Sequence, residues 1–165
     1  LTLEFSDPRW GSDISFMRVW GRSKWLRTLG DNHRFLMRAE QGAIIGDSFS
    51  LVPPSLRFFT GGDQTVRGFG YETISPTGSD GKLTGGRYTS VASLEYNYRF
   101  SEKWLGAMFV DGGTSTTDYS EPWKIGTGVG VRWVTPIGQV RLDLAVGVSE
   151  EDKPLRLHFA LGPEL

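Results

Sequence analysis

Apolar and polar residues alternate along most of this chain. Between residues 123 and 134 the odd positions are Ile125, Thr127, Val129, Val131 and Trp133, and the even positions are Gly126, Gly128, Gly130 and Arg132. Residues 138–149 set Val140, Leu142, Leu144, Val146 and Val148 against Gln139, Arg141, Asp143, Ala145 and Gly147. Residues 155–162 set Leu155, Leu157, Phe159 and Leu161 against Arg156, His158, Ala160 and Gly162, and 86–100 alternates in the same way, with Leu94, Tyr96 and Phe100 on one face and Ser93, Glu95 and Asn97 on the other. A period of two is the signature of a strand with two unlike faces. Read along the whole chain, the pattern predicts eight strands near 1–6, 12–28, 33–45, 86–100, 103–114, 123–134, 138–149 and 155–162, the first one partial. Turn signals such as Gly30-Asp31-Asn32, Ser101-Glu102, Thr135-Pro136-Ile137-Gly138 and Glu150-Glu151-Asp152-Lys153-Pro154 separate most of them. Only 12–28 resists, because Phe16, Val19, Trp20, Trp25 and Leu26 do not fall on one parity.

The nature of the two faces decides the environment. A soluble sandwich hides its apolar face between sheets. Here the polar face mixes glycine, alanine and serine with arginine and carboxylates, and the apolar face carries aromatic residues near strand ends. That distribution fits a transmembrane antiparallel β-barrel with lipid outside, a polar lumen and aromatic girdles. The segments also reach the roughly 9–11 residues a tilted spanning strand needs. Mean hydropathy is −0.27, as expected when every second residue faces a wet lumen. A formal net charge of −1 lacks the cationic excess of a nucleic-acid-binding surface, and the absence of cysteine removes disulfides and thiolate zinc sites. The chain opens on an alternating strand, Leu1-Thr2-Leu3-Glu4-Phe5, with neither Met nor a signal peptide. It reads as a fragment that begins inside a strand.

One connection, 46–85, is far longer than the others. A loop of this length without structure of its own is usually functional. Short turns on the periplasmic side and longer loops outside are the usual barrel arrangement, which assigns 46–85 to the extracellular side and the C-terminus to the periplasm. At its centre stands Phe59-Thr60-Gly61-Gly62-Asp63-Gln64-Thr65-Val66-Arg67-Gly68-Phe69, a glycine-dense fold-back with one cation. Phe58, Phe59, Val66, Phe69 and Tyr71 are candidate anchors for it. The motif Phe59-x-Gly61-Gly62-x-x-x-Val66-Arg67-Gly68-Phe69 resembles the sixth extracellular loop of the outer-membrane assembly and two-partner-secretion barrels, the superfamily containing BamA and TamA. Gly126-x-Gly128-x-Gly130-Val131-Arg132-Trp133, Pro136-Ile137-Gly138 and Val140-x-Leu142-Asp143 fit the same superfamily. The ending Phe159-Ala160-Leu161-Gly162-Pro163-Glu164-Leu165 resembles most the TamA family, outer-membrane subunits of translocation and assembly modules. The likeness spans about 33–165.

The resemblance implies an all-β fold in which residues 1–165 form the C-terminal eight strands of a sixteen-stranded barrel, with the first half-barrel and periplasmic domains outside this sequence. It implies that the 46–85 loop folds into the lumen, that Gly61, Gly62, Val66, Arg67, Gly68 and Phe69 form its motif, and that Asp111 receives Arg67. It further implies an outer-membrane location in a Gram-negative bacterium, no enzymatic activity and no cofactor. Client outer-membrane proteins such as autotransporters, the lipid bilayer and a TamB-like inner-membrane protein are the implied partners. The last strand, with Leu157, Phe159, Leu161, Gly162 and Pro163, would border a seam through which clients insert. Physical chemistry supports the Arg67–Asp111 pairing independently: an uncompensated buried charge is expensive, and a guanidinium grips a carboxylate bidentately where lysine cannot. Glu95, Arg132, Arg141 and Asp143 are expected to form a structural charge network in the lumen, Arg132 reaching Asp143 diagonally across adjacent strands.

Three other readings stand beside this one. His158 and Asp143 on neighbouring strands invite a hydrolase, but the sequence has no serine in a strained elbow, no H-x-x-x-H and no GxxxxGK[ST]. Eight strands can also close alone as a small anchor or pore, with an interior filled by side chains. A passive porin is the third.

Overall fold

The computed structural model describes residues 1–46 and 48–162. Eight strands form one antiparallel sheet in chain order: β1 (Thr2–Ser6), β2 (Phe16–Leu29), β3 (His33–Ile45), β4 (Tyr88–Ser101), β5 (Trp104–Thr116), β6 (Lys124–Thr135), β7 (Gly138–Gly147) and β8 (Leu155–Gly162). Each strand pairs with its sequence neighbour, so β1 and β8 are the two ends of the sheet and each keeps one free edge. The described strands therefore do not close into a small barrel. Residues 30–32, 102–103 and 136–137 make tight turns at one rim, and 7–15, 46–87, 117–123 and 148–154 connect strands at the other. The 148–154 connection is brief, yet it belongs to the rim of the long loops.

Alternation builds the two faces. Leu94, Met108, Val110, Val129, Leu142, Leu144, Leu157 and Phe159 are exposed on the outer face, as suits a lipid-facing wall. The stacked rings of Trp104 and Trp133, with centroids 5.9 Å apart, sit on that face beside the tight-turn rim. The other parity forms transverse rows. One row runs Lys24–Arg38–Ser93–Asp111–Gly126–Gly147; the next runs Leu26–Leu36–Glu95–Phe109–Gly128–Ala145. A third holds Asn97, Ala107, Gly130, Asp143 and His158. The registers resolve β2 as well: Arg18, Trp20, Arg22 and Lys24 face inward opposite Ile44, Gly42, Glu40 and Arg38. Its outer parity carries Gly21, Ser23 and Arg27 among apolar residues, which is why periodicity alone did not divide it.

The 46–87 connection packs onto the inner face. Two short 3₁₀ turns, Phe49–Leu51 and Pro54–Leu56, lead into it. Isolated bridges Phe58–Gly86 and Thr60–Ile74 then fold it back on itself. Val66, Phe69 and Ile74 pack with Val91 of β4, and Phe58 packs with Ile44 and Val52. Tyr71, named above as a candidate anchor, points away and is 76% exposed; beside a left-handed Glu72 (φ 56°) it stands at the outer bend of the loop.

Because Phe58 joins the loop to β3, Phe58→Ala should cost about 3–5 kcal/mol of local packing. The expected result is faster proteolysis within 46–87 in the membrane-inserted protein, with heat-modifiable electrophoretic migration of the barrel unchanged.

Candidate functional site

The loop motif ends in a buried cation. Gly61, Gly62 and Gly68 have φ of 113°, 104° and 93°, a region that L side chains avoid, and they turn the chain so that Arg67 points into the sheet. Its side chain is 2% exposed. Arg67 Nε donates to Asp111 Oδ2 at 2.7 Å and Nη2 to Asp111 Oδ1 at 3.0 Å, a bidentate grip, and the Arg67 backbone N–H reaches Asp111 Oδ2 at 3.1 Å. Nη1 donates to Glu95 Oε2 at 2.6 Å and to Asp143 Oδ2 at 3.1 Å. One guanidinium thus draws carboxylates from β4, β5 and β7 together. Beneath it lies the ring of Phe109, with its centroid 3.4 Å from Cζ, a cation–π contact in a desolvated setting.

A second arginine offsets more of the negative charge, and Arg38 the rest. Arg132 Nη1 donates to Asp143 Oδ1 at 2.5 Å, and Nη2 lies 3.1 Å from Glu95 Oε1. The register places Gly130 directly opposite Asp143 and Arg132 two residues along, so the contact is diagonal. Asn97 Nδ2 adds a bond to Glu95 Oε1 at 3.1 Å, and Ser93 Oγ one to Asp111 Oδ1 at 2.5 Å. Arg38 donates to Ser93 Oγ at 3.0 Å and stands 3.7 Å from Asp111. Burial opposes the charge of Arg67, yet the hydrogen bonds and charge of Asp111, with the charges of Glu95 and Asp143, hold its pKa above the ordinary arginine value.

Glycine makes the fit possible. A Cβ on Gly126 would overlap the Arg67 carbonyl oxygen, and one on Gly130 would overlap Asp143 Oδ1. At Gly128 the same atom would run into the Leu144 carbonyl and stand 2.6 Å from the Phe109 ring. A Cβ on Gly68 would lie 2.7 Å from the backbone of Val146 and Gly147. The loop backbone therefore rests directly on the β6–β7 wall.

Of the residues singled out from the sequence, Gly61, Gly62, Val66, Arg67, Gly68, Phe69, Asp111, Glu95, Arg132 and Asp143 come together here. Arg141 does not. It pairs in register with Arg132 but shares no ion pair with Glu95 or Asp143, because Arg132 and Arg67 occupy the oxygens that would receive it; it is half-buried in a neighbouring cavity. His158 accepts from the Gly68 N–H through Nε2 at 3.0 Å, so this side chain and Asp143 both serve to hold the loop. Sequence reasoning missed Arg38, Ser93, Asn97 and Phe109; their signal was a shared inward parity with Glu95 and Asp111. Leu157, Phe159 and Leu161 face outward on the edge strand β8, and Gly162 ends it opposite Gln139. Pro163 lies outside the described residues.

An open antiparallel sheet with a lipid-facing wall and a loop locked into its concave face defines an outer-membrane barrel protein. The chain matches the Omp85 superfamily domain over residues 1–164 and belongs to that superfamily, which places it in the outer membrane of a Gram-negative bacterium. It is 26% identical over 171 residues to the outer membrane protein assembly factor BamA of Nitratidesulfovibrio vulgaris (strain Hildenborough), with 96% of this chain and 22% of that protein covered. The crystal structure of BamA from Haemophilus ducreyi lacking POTRA domains 1-3 superposes with a TM-score of 0.72 at 20% identity, covering 90% of this chain and 35% of that one. CdiB from Acinetobacter baumannii gives a TM-score of 0.61 at 20% identity, covering 91% and 27%. The eight strands match the C-terminal part of the BamA barrel. The chain spans less than a quarter of the length of its BamA relative.

If the glycine wall sets the loop's seat, Gly126→Ala should lift the Arg67 segment, whereas Gly106→Ala should leave it in place, since a Cβ there meets only Phe100 at 3.9 Å. Protease sensitivity of the loop in the two variants is the readout; equal sensitivity would refute the idea.

Proposed function

We propose that this chain is the C-terminal half of the barrel of an outer-membrane assembly and translocation factor, in which the 46–87 loop works as an internal latch. The observation that carries the reading is the Arg67 socket. Three carboxylates from three strands converge on one loop cation, an expensive arrangement unless the loop position itself matters to the protein. Removing one partner of a buried ion pair costs about 3–5 kcal/mol, because the other charge is left buried without compensation. The reading assigns no chemistry to His158 and Asp143, which are engaged in holding the loop.

The finer identity we favour is the TamA kind, on the ending from Phe159 to Leu165. Clients would then be outer-membrane proteins such as autotransporters, and a TamB-like inner-membrane protein would be the partner. The free edge of β8 supplies the physical means: unpaired N–H and C=O groups recruit an incoming strand by main-chain hydrogen bonding. Gly162 and Pro163 would weaken pairing at the end of that edge, since glycine loosens a strand and proline cannot donate.

In the full-length protein, Arg67→Ala should lower client insertion several-fold while the barrel still forms, and Arg67→Lys should rescue little, because an ammonium cannot reproduce the bidentate fork. Cysteines at 60 and 89, whose threonine hydroxyls lie 3.0 Å apart between the loop and β4, should crosslink in an active, membrane-inserted sample that keeps Arg67 and Asp111; absence of the crosslink there would count against the latch. Replacing Gly162 and Pro163 together with valine should tighten the seam and slow insertion of a reporter client. An unchanged rate would sink the seam role.

A further inference from the structure

We propose that the cavity beside the latch is a binding site for a phosphate-class oxyanion. The space is about 440 Å³ and lies on the inner face between β2–β3 and β7–β8, roofed by Asp63, Gln64 and Thr65 of the loop. Among the described residues its cations are Arg22, Lys24, Arg38 and Arg141, and its carboxylates are Glu40 and Asp63. Lys24 and Arg38 are direct cross-strand partners, a like-charge contact that a sheet does not favour without a counter-charge.

Among the described residues the existing partners supply that counter-charge only in part. Arg22 takes Glu40 through Nε at 3.0 Å and Nη2 at 2.9 Å, and Trp20 Nε1 binds the other Glu40 oxygen at 2.9 Å. Asp111, near Arg38, is already gripped by Arg67. Arg38 donates from Nη1 to the Gln64 carbonyl at 3.2 Å, but its buried Nε has no hydrogen-bond partner. Among the described residues, neither Lys24 nor Arg141 has an ion pair of its own. Ala160 and Gly162 on β8 leave the floor free of bulk. With Arg22 taken by Glu40 and Arg38 shared with Asp111, Lys24 and Arg141 facing Asp63 leave a positive excess among the described residues, and their ammonium and guanidinium offer more donors than the two oxygens of a carboxylate fill, whereas a phosphate can meet them. Guanidinium forks and an ammonium are the donors that phosphate oxygens accept best. The site opens on the lumen, away from the lipid-facing wall, so a free ion and a phosphate headgroup are the two sources to separate.

The test uses the full-length protein in phosphatidylcholine nanodiscs, in a chloride buffer of low ionic strength, titrated calorimetrically with inorganic phosphate, with acetate, and with dihexanoyl phosphatidate. Saturable phosphate binding is expected, weakened at least tenfold in Lys24→Gln/Arg141→Gln and unchanged in the turn variant Ile137→Ser. Heat-modifiable migration and protease resistance of the loop check that the double variant keeps its fold. Phosphatidate binding more tightly than phosphate in the wild type, with the same loss in the variant, would assign the site to a lipid headgroup; equal affinities would assign it to the free ion. No saturable phosphate binding, equal binding of acetate, or full affinity in a correctly folded double variant would overturn the proposal.

Discussion

A charged guanidinium buried between a loop and the inner wall of a barrel has to be compensated, and the inner face of this protein is arranged around that requirement. Arg67 reaches Asp111, Glu95 and Asp143 at distances of 2.6–3.1 Å. Three negative charges this close would repel one another, so the second guanidinium of Arg132 and the nearby Arg38 are as necessary as the first. Burying ions is costly, and a well-packed apolar replacement is often no less stable. What the ionic arrangement adds is direction: a bidentate pair fixes both the position and the angle of the loop.

The wall and the loop are two halves of one fit. Gly126, Gly128 and Gly130 on β6 remove the side chains that would hold the loop backbone away, and Phe109 fills the space over Gly128 to become the surface on which Arg67 lies. Hydrophobic packing of Val66, Phe69 and Ile74 against Val91 then shields the charges from water, which strengthens every electrostatic contact among them. His158 extends the connection to β8, one of the two strands with a free edge. Loop position and edge strand are thereby joined through a hydrogen bond to a backbone amide.

Much of this was legible before any coordinates. Period-two alternation located β3 to β8 closely, because one parity faces lipid and the other faces the lumen. It failed on β2, where Trp20 faces inward among Arg18, Arg22 and Lys24 while Gly21, Ser23 and Arg27 interrupt the outer face. The glycine-rich motif marked Arg67, and the family resemblance, supported by the glycines beside an inward aspartate, marked Asp111. Which carboxylates would share the guanidinium was not legible, since that depends on registers that bring Glu95, Phe109 and Gly128 into one row and Asp143 into the next. Arg141 shows the same limit from the other side. Its parity is that of Asp143, but Arg132 is the diagonal neighbour that reaches the carboxylate, and Arg141 is left facing a cavity.

The socket also bears on strand register. Glu95, Asp111 and Asp143 lie on strands separated by up to forty-eight residues of chain, and they share a focus only when β4, β5, β6 and β7 are in register. A slip of one residue in any strand would turn its inward side chains toward lipid and remove a carboxylate from the set. Arg67 therefore finds its full complement only in a correctly paired sheet. The buried cation is fully compensated only in that register, so its seating requires β4 to β7 to be correctly paired.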